Sequence, residues 1–221
     1  MKKLMLTVFL VLGLLIMAAP ALAAPFDVNH SINYSLSNSV GTPYGSGGLF
    51  TLIDVSTPLP HATIQTFCIE LDENIYPTGN FVASISNFAV LGGRNTNSND
   101  QISPATDWLY AQYHINPAAY NPAALQIAFW LLEDEMSQAE ASNWVSQNYF
   151  TQALLDTANG YKTAAETGHT GTYGTQVLNL KDSAGNPRQS HLIYVPEPGI
   201  LILLGIAMSA IGAASWRLRK L

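Results

Sequence analysis

The first half of the chain alternates apolar and polar residues with the period of two that is typical of β-strands. The run Ile32-Asn33-Tyr34-Ser35-Leu36 shows this period, and a glycine-rich stretch at 41–48 predicts a turn before another strand at 49–55. Two further strands are predicted at 63–71 and 80–91. This half of the protein is therefore expected to be β-structure.

Helical spacing replaces the alternation after residue 101. Ser103-Pro104 and Asn121-Pro122 each combine an N-cap residue with a proline in the first turn, so each predicts the start of a helix. Apolar residues at steps of three and four predict a third helical region, and they are Phe150, Leu154, Ala158, Tyr161 and Ala165. Strands return at 176–180 and 191–195. This order of strands, helices and strands predicts an α+β fold, mainly a β-sandwich or barrel with a helical insertion.

The N-terminal segment, residues 1–23, has the organisation of a secretory signal peptide. Lys2 and Lys3 precede an unbroken apolar run at 4–17, and the small residues Ala21-Leu22-Ala23 provide a cleavage site for signal peptidase. We therefore expect the protein to be exported and this segment to be removed.

The C-terminal segment, residues 195–221, contains three elements in a fixed order. Pro196-Glu197-Pro198 precedes an uncharged stretch at 199–216 that is long enough for a transmembrane helix, and a basic tail follows at Arg217, Arg219 and Lys220. This arrangement resembles the PEP-CTERM sorting signal of Gram-negative bacteria. The resemblance implies an inner-membrane anchor, then processing by an exosortase and delivery to the cell surface or an exopolysaccharide matrix.

Residues 24–194 are long enough to form one exported domain with its own core. Between residues 24 and 198 the chain carries four basic and fifteen acidic residues, a net charge of −11, against −6 for the whole chain. Because a surface of this sign repels phosphate backbones, nucleic acid is excluded as a partner. No metal or cofactor site is predicted, since no histidines stand at ligand spacing and no second cysteine accompanies Cys68.

Cys68 is the only cysteine and Gln126 the only polar residue in the apolar run 123–132, so both are unusual in their surroundings. On the predicted strand, Cys68 points away from the face that carries Phe67 and Ile69. A helix that is apolar on every side is buried on every side, and an unpaired amide there would cost about 1–3 kcal/mol. A covalent bond between the thiol and the amide would remove both anomalies, because the thiol can displace ammonia and form an internal thioester.

Two short motifs resemble the thioester domains of Gram-positive surface adhesins. Phe67-Cys68-Ile69-Glu70 matches their strand motif, and the helical motif is matched by Leu125-Gln126-Ile127-Ala128-Phe129-Trp130. The resemblance implies that Cys68 supplies the thiol, that Gln126 is the acyl donor, and that Trp130 packs beside them. It also implies covalent attachment to an amine or hydroxyl group on a surface or polysaccharide. Such a protein acts once and is not an enzyme.

Other interpretations of these residues remain open at this point. Cys68 can be an inert core residue in a non-covalent carbohydrate-binding or structural matrix module that uses its many tyrosines and tryptophans. A Cys-His hydrolase would need a histidine beside the thiol, and any of five could approach it, namely His30, His61, His114, His169 and His191. The acidic run Glu133-Asp134-Glu135 is interpreted as the solvated end of the second helix, predicted over 123–136.

Overall fold

Two three-stranded antiparallel sheets and a group of helices make up the part of the chain that the structure, a computed structural model, describes: residues 32–55, 63–75, 81–94 and 98–195. The strands are β1 (Ile32–Thr42), β2 (Gly45–Asp54), β3 (Thr63–Thr66), β4 (Val82–Ser86), β5 (Phe88–Ala89), β6 (Asp100–Gln101), β7 (Thr175–Lys181) and β8 (Pro187–Tyr194). The helices are α1 (Pro104–Ile115), α2 (Pro122–Leu132), α3 (Gln138–Ser146) and α4 (Gln152–Gly168), with a short 3₁₀ turn at Pro117–Ala119.

The two larger sheets are joined edge to edge just after β3. One sheet has the strand order β1-β2-β3 and the other β4-β7-β8, while β5 and β6 form a small separate pair. Cys68, just after β3, and His191, on β8, form an isolated antiparallel bridge that joins the two larger sheets. Two backbone hydrogen bonds flank this bridge, from Ile69 N–H to the Ser190 carbonyl (3.1 Å) and from Leu192 N–H to the Phe67 carbonyl (3.0 Å). Cys68 therefore lies at the junction of the two sheets.

The two predicted helix starts are confirmed by their caps. The Ser103 hydroxyl accepts a hydrogen bond from Thr106 N–H at 3.1 Å, and the Asn121 carboxamide accepts two, from Ala123 N–H and Ala124 N–H. These side chains satisfy backbone donors that have no partner within the helix. Helix α2 is buried along almost its whole length, as expected for a helix that is apolar on every side.

The second helix is shorter than predicted. It ends at Leu132, Asp134 adopts a positive φ of 57°, and a new helix begins after Ser137. Ser137 and Glu140 form a reciprocal capping box, in which each side chain accepts a hydrogen bond from the other residue's backbone N–H. The separate helix α3 was therefore missed, although Ser137-Gln138-Ala139-Glu140 is the sequence pattern of such a cap.

The α+β class and the order of strands, helices and strands are confirmed. The barrel alternative is wrong for the described residues, since none of their sheets closes on itself. The strand predicted at 63–71 ends at Thr66, and the one predicted at 80–91 is divided into β4 and β5.

Both predicted targeting segments, 1–23 and 195–221, fall outside the described residues except for Val195. Across the ranges that are described, no helix combines the length and the apolar composition that a bilayer crossing requires.

The cap of α2 yields a stability prediction. Replacing Asn121 with alanine removes the acceptor for two helix N–H groups and is expected to lower the free energy of unfolding by about 1 kcal/mol. Asn121→Asp keeps an acceptor oxygen and should lose much less. Denaturant unfolding of the two variants checks this, and equal stabilities would show that the Asn121 cap is not what stabilises the start of α2.

Candidate functional site

The structure brings Cys68 and Gln126 into contact, although 58 positions separate them in the chain. The Cys68 sulfur lies 3.4 Å from the carboxamide oxygen of Gln126. Both side chains have 0 % exposure. The thiol donates a hydrogen bond to that oxygen, and the carbon that the sulfur would attack is the atom bonded to the same oxygen.

The Gln126 amide occupies the position of a missing strand pairing. The register of β2 with β3 pairs Phe50 with Thr66, and its continuation would pair Gly48 with Cys68. The carboxamide stands between those two residues. Its oxygen accepts hydrogen bonds from Gly48 N–H (3.2 Å) and Cys68 N–H (3.2 Å), and its nitrogen donates to the Cys68 carbonyl (2.9 Å). This explains why the β2–β3 ladder stops at Thr66.

Two backbone N–H groups therefore converge on one carbonyl oxygen beside a thiol. This is the arrangement of an oxyanion hole, in which donors already in place stabilise the negative charge that develops when a nucleophile attacks the carbonyl. The donors belong to strand β2 and to the sheet junction, so their positions are fixed by the sheet framework. The site can promote attack on the Gln126 carbonyl.

A glycine at position 47 allows helix α2 to approach β2 this closely. A Cβ atom there would lie 2.4 Å from Trp130 Cζ2 and 2.9 Å from Gln126 Cγ. Gly48 has a φ of +148°, a backbone conformation that side-chain-bearing residues rarely adopt. The glycine-rich stretch that was predicted only as a turn thus forms one wall of the site, and its role was missed.

The thiol is held in its neutral form. Burial raises the pKa of Cys68 well above its ordinary value, and the nearby Glu70 carboxylate raises it further. The indole N–H of Trp130 acts in the opposite direction, lowering this pKa, without overcoming the other two. A thiolate is therefore disfavoured in this environment, whereas a thioester carries no charge and is compatible with it.

His191 is the cross-strand neighbour of Cys68, and of the three described histidines it is the one placed there. It is fully buried, and its ring packs edge-on against Phe50 with centroids 4.8 Å apart. Neither ring nitrogen has a hydrogen-bond partner in the part of the chain that the structure describes. Elsewhere, His114 stacks on Tyr194 and the ring of His169 contacts the Ala165 carbonyl. His30 and His61 are not among the described residues.

The interpretation of Glu133 and Glu135 as a solvated helix end is wrong. Both are buried, and they accept backbone hydrogen bonds from other segments. Glu135 accepts from Leu71 N–H at 2.8 Å and from Arg94 N–H at 2.9 Å, and Glu133 accepts from Ser103 N–H at 3.0 Å. These carboxylates accept hydrogen bonds from loop N–H groups that have no backbone acceptor. The polarity of a residue in the sequence does not reveal such a role.

Buried carboxyl groups surround the junction without forming a metal site. Glu70 accepts a hydrogen bond from Ser190 N–H at 2.9 Å, and burial raises its pKa to about 7. Burial also raises the pKa of Glu73 to about 8, with Glu70 adding to the effect, and that of Glu133 to about 7. Within the described ranges, no three His, Cys, Asp or Glu residues are arranged to hold a metal ion.

The tyrosines and tryptophans in the described part of the chain differ in burial. Tyr110, Tyr113, Trp130 and Trp144 are buried. Tyr44 and Tyr149 are exposed, at 42 % and 38 %, and both lie beside Trp144. Five further rings are partly buried against the core, namely Tyr34, Trp108, Tyr120, Tyr161 and Tyr194. The carbohydrate-binding alternative stays a prediction.

Comparisons of this chain with protein-family models, curated proteins and solved structures find no match. Its chemistry must be inferred from its own residues.

The close approach at Gly47 can be tested directly. Gly47→Ala forces Trp130 and Gln126 to move and is expected to cost about 1–3 kcal/mol of stability, as overpacking does. Gly41→Ala is the matched control, because its new Cβ would meet Tyr149 at an ordinary 3.8 Å. The measurements are denaturant unfolding and labelling of Cys68 by a thiol reagent in the presence of methylamine, which opens any thioester. Equal stability and labelling in the two variants would contradict the role given to Gly47.

The buried acids predict how stability depends on pH. Glu70, Glu73 and Glu133 retain protons in the folded protein up to about pH 7–8, while in the unfolded chain they ionise near their ordinary value of 4.5. The folded state therefore binds more protons in this window, so stability should fall as pH rises from about 5 to about 8.

Melting temperatures across this range provide the measurement. Glu70→Gln should reduce the slope, because it removes one of the buried titrations. Glu166→Gln, on the exposed part of α4, should leave the slope unchanged. A melting temperature that rises towards pH 8 would contradict the prediction.

Proposed function

We propose that this protein is an exported surface or matrix protein that forms an internal thioester between Cys68 and Gln126 and uses it for covalent attachment to an amine or hydroxyl group. The observation that carries the proposal is the placement of the Cys68 sulfur 3.4 Å from the Gln126 carboxamide oxygen, which accepts two backbone N–H groups. On this basis the domain is of the thioester-domain type.

Formation of the thioester proceeds by attack of the Cys68 sulfur on the Gln126 carbonyl carbon. A carbon–sulfur bond forms, and the carbonyl oxygen becomes an oxyanion held by the N–H groups of Gly48 and Cys68. The carbon–nitrogen bond then breaks, and the amide nitrogen leaves as ammonia with the proton from the thiol. One donor in an oxyanion hole is worth about 3 kcal/mol of barrier, so two such donors offset a large part of the cost of attacking an amide.

In capture, the acyl group of Gln126 moves from the Cys68 sulfur to the target. An amine or hydroxyl attacks the same carbon, the same two N–H groups hold the oxyanion, and Cys68 leaves as a thiol after taking up a proton. The product is an amide or ester that links the Gln126 side chain to the target. Since the thioester is consumed, each molecule acts once, and the chain is not an enzyme in the sense of turnover. No cofactor takes part.

The targeting segments give this chemistry its location. Signal peptidase would remove residues 1–23, and residues 195–221 would hold the protein in the inner membrane until an exosortase processes it near Pro196-Glu197-Pro198. The domain would then reach the cell surface or an exopolysaccharide matrix. Polysaccharide hydroxyls and surface amines are the nucleophiles available there, which fits the acyl donor that the site supplies.

Intact-mass measurement tests the proposal. The full chain, expressed with its signal peptide in a Gram-negative host and recovered in detergent, should be lighter by one ammonia than its sequence requires. Its thiol should resist labelling until methylamine is added. Methylamine should then restore a free Cys68 and leave a methylamide at Gln126.

Two substitutions provide the controls. Cys68→Ser and Gln126→Ala should each retain the full calculated mass, because each lacks one partner of the bond. A wild-type protein of full mass with a readily titrated thiol would overturn the proposal.

A further inference from the structure

Thioester formation at this site requires a destination for the thiol proton. The Cys68 thiol is fully buried and neutral, and a neutral thiol is a poor nucleophile. Attack on Gln126 therefore needs a group that takes the proton as the carbon–sulfur bond forms. This question rests on the proposed function, since it arises only if the thioester is made.

His191 stands directly opposite Cys68. The flanking hydrogen bonds run from Ile69 to Ser190 and from Leu192 to Phe67, so the Cys68–His191 pair is of the non-hydrogen-bonded kind. In such a pair the two Cα atoms are about 4.5 Å apart and both side chains project to the same face. The imidazole is thus held on the side of the junction that carries the thiol.

The nitrogens of His191 have no hydrogen-bond partner among the described residues, and the Cys68 thiol donates to the Gln126 carboxamide oxygen (3.4 Å) rather than to either of them. Both nitrogens are buried, although an unsatisfied buried polar group costs about 1–3 kcal/mol. The ring is already packed against Phe50, so an apolar aromatic residue would fill this position without the cost. A purely structural role does not account for a histidine here.

We infer that His191 is the proton acceptor of the site, taking the proton of Cys68 as the sulfur attacks Gln126 and passing it to the departing nitrogen. No proton is gained or lost overall. The thiol proton moves to the imidazole, the imidazolium gives it to the amide nitrogen, and ammonia leaves. During capture the same ring accepts the proton of the incoming amine or hydroxyl and returns one to the sulfur of Cys68.

His191 has the neutral charge that a proton acceptor requires, although its lowered pKa also makes the ring a weak base. Burial lowers its pKa to about 3, so the ring is neutral at neutral pH and offers one nitrogen with a free lone pair. The same burial means that the ring holds a proton only briefly, while the developing oxyanion is present nearby. Transfer to the leaving nitrogen is then favourable.

Two other titratable groups act on the thiol, Glu135 and, more strongly, Glu70. Glu70 lies two residues further along the same segment, beyond the end of β3, and its side chain accepts a hydrogen bond from Ser190 N–H. Its charge raises the pKa of Cys68 and so opposes loss of the thiol proton. In antiparallel pairing, directly opposite residues have Cβ atoms about 4.5–5.5 Å apart, whereas residues i and i+2 of one extended segment are about 6.5 Å apart. The geometry therefore favours the histidine.

The test follows the loss of ammonia over time. The full chain is purified unfolded, with Cys68 reduced, and refolded in detergent while its mass is recorded. His191→Phe keeps the packing on Phe50 and removes the unpaired nitrogens, so it should fold at least as stably as wild type. Its rate of ammonia loss is expected to fall about a hundredfold or more, the usual contribution of a general acid–base group. Glu70→Gln removes a charge that opposes loss of the thiol proton, so its rate should not fall below that of wild type.

A second variant separates a chemical role from a structural one. His191→Ala leaves space beside Cys68, and added imidazole should restore much of the rate, whereas cyclopentanol of similar size should not.

A folded His191→Phe protein that forms the thioester at the wild-type rate overturns the inference and leaves the proposed function intact. A wild-type chain that never loses ammonia overturns both. If His191→Phe does not fold, the imidazole experiment decides, and a folded His191→Ala protein without rescue overturns the inference.

Discussion

The insertion of the Gln126 carboxamide between Gly48 and Cys68 is the interaction on which the rest of the structure depends. It supplies the hydrogen bonds that a direct pairing of these two residues would have made, so the strand pairing ends at Thr66 without leaving the backbone of Cys68 unsatisfied. The side chain of one helix residue thereby links β2, α2 and the junction of the two sheets. Stability and chemistry have the same origin here, because the hydrogen bonds that hold the amide also polarise its carbonyl.

Burial favours the neutral form of each titratable group at this junction. It keeps Cys68 as a thiol, His191 as a neutral ring, and Glu70 protonated up to about pH 7. An uncharged thioester suits such surroundings better than a thiolate does. Exclusion of water would also protect the bond from hydrolysis, since an acyl electrophile in open solvent is lost to the commonest nucleophile present.

The sequence predicted the site where a residue was unusual for its surroundings. It did not predict contacts between residues that are far apart along the chain. A single thiol in a chain predicted to be exported and a single amide in an apolar helix each required a partner, and their contact was predictable from that requirement. Helix starts were predictable because caps are local. Glu133 and Glu135 were misinterpreted because their partners, Ser103, Leu71 and Arg94, are at least 30 residues away. Gly47 was read as a turn residue, since only the approach of α2 gives it a packing role.

Specificity in a site of this kind must come from access. In the proposed chemistry, formation and capture use the same carbon and the same two N–H donors, so these donors would not distinguish the target from water once either had entered. At the start of β2, Gly45 and Ser46 are exposed while Gly47 and Gly48 are buried. Trp130 lies directly over Gly47 and beside Cys68. Under the proposed mechanism, a nucleophile that entered at this point would have to displace Trp130 from Gly47, which would favour a group already bound at the surface over one that arrives by diffusion.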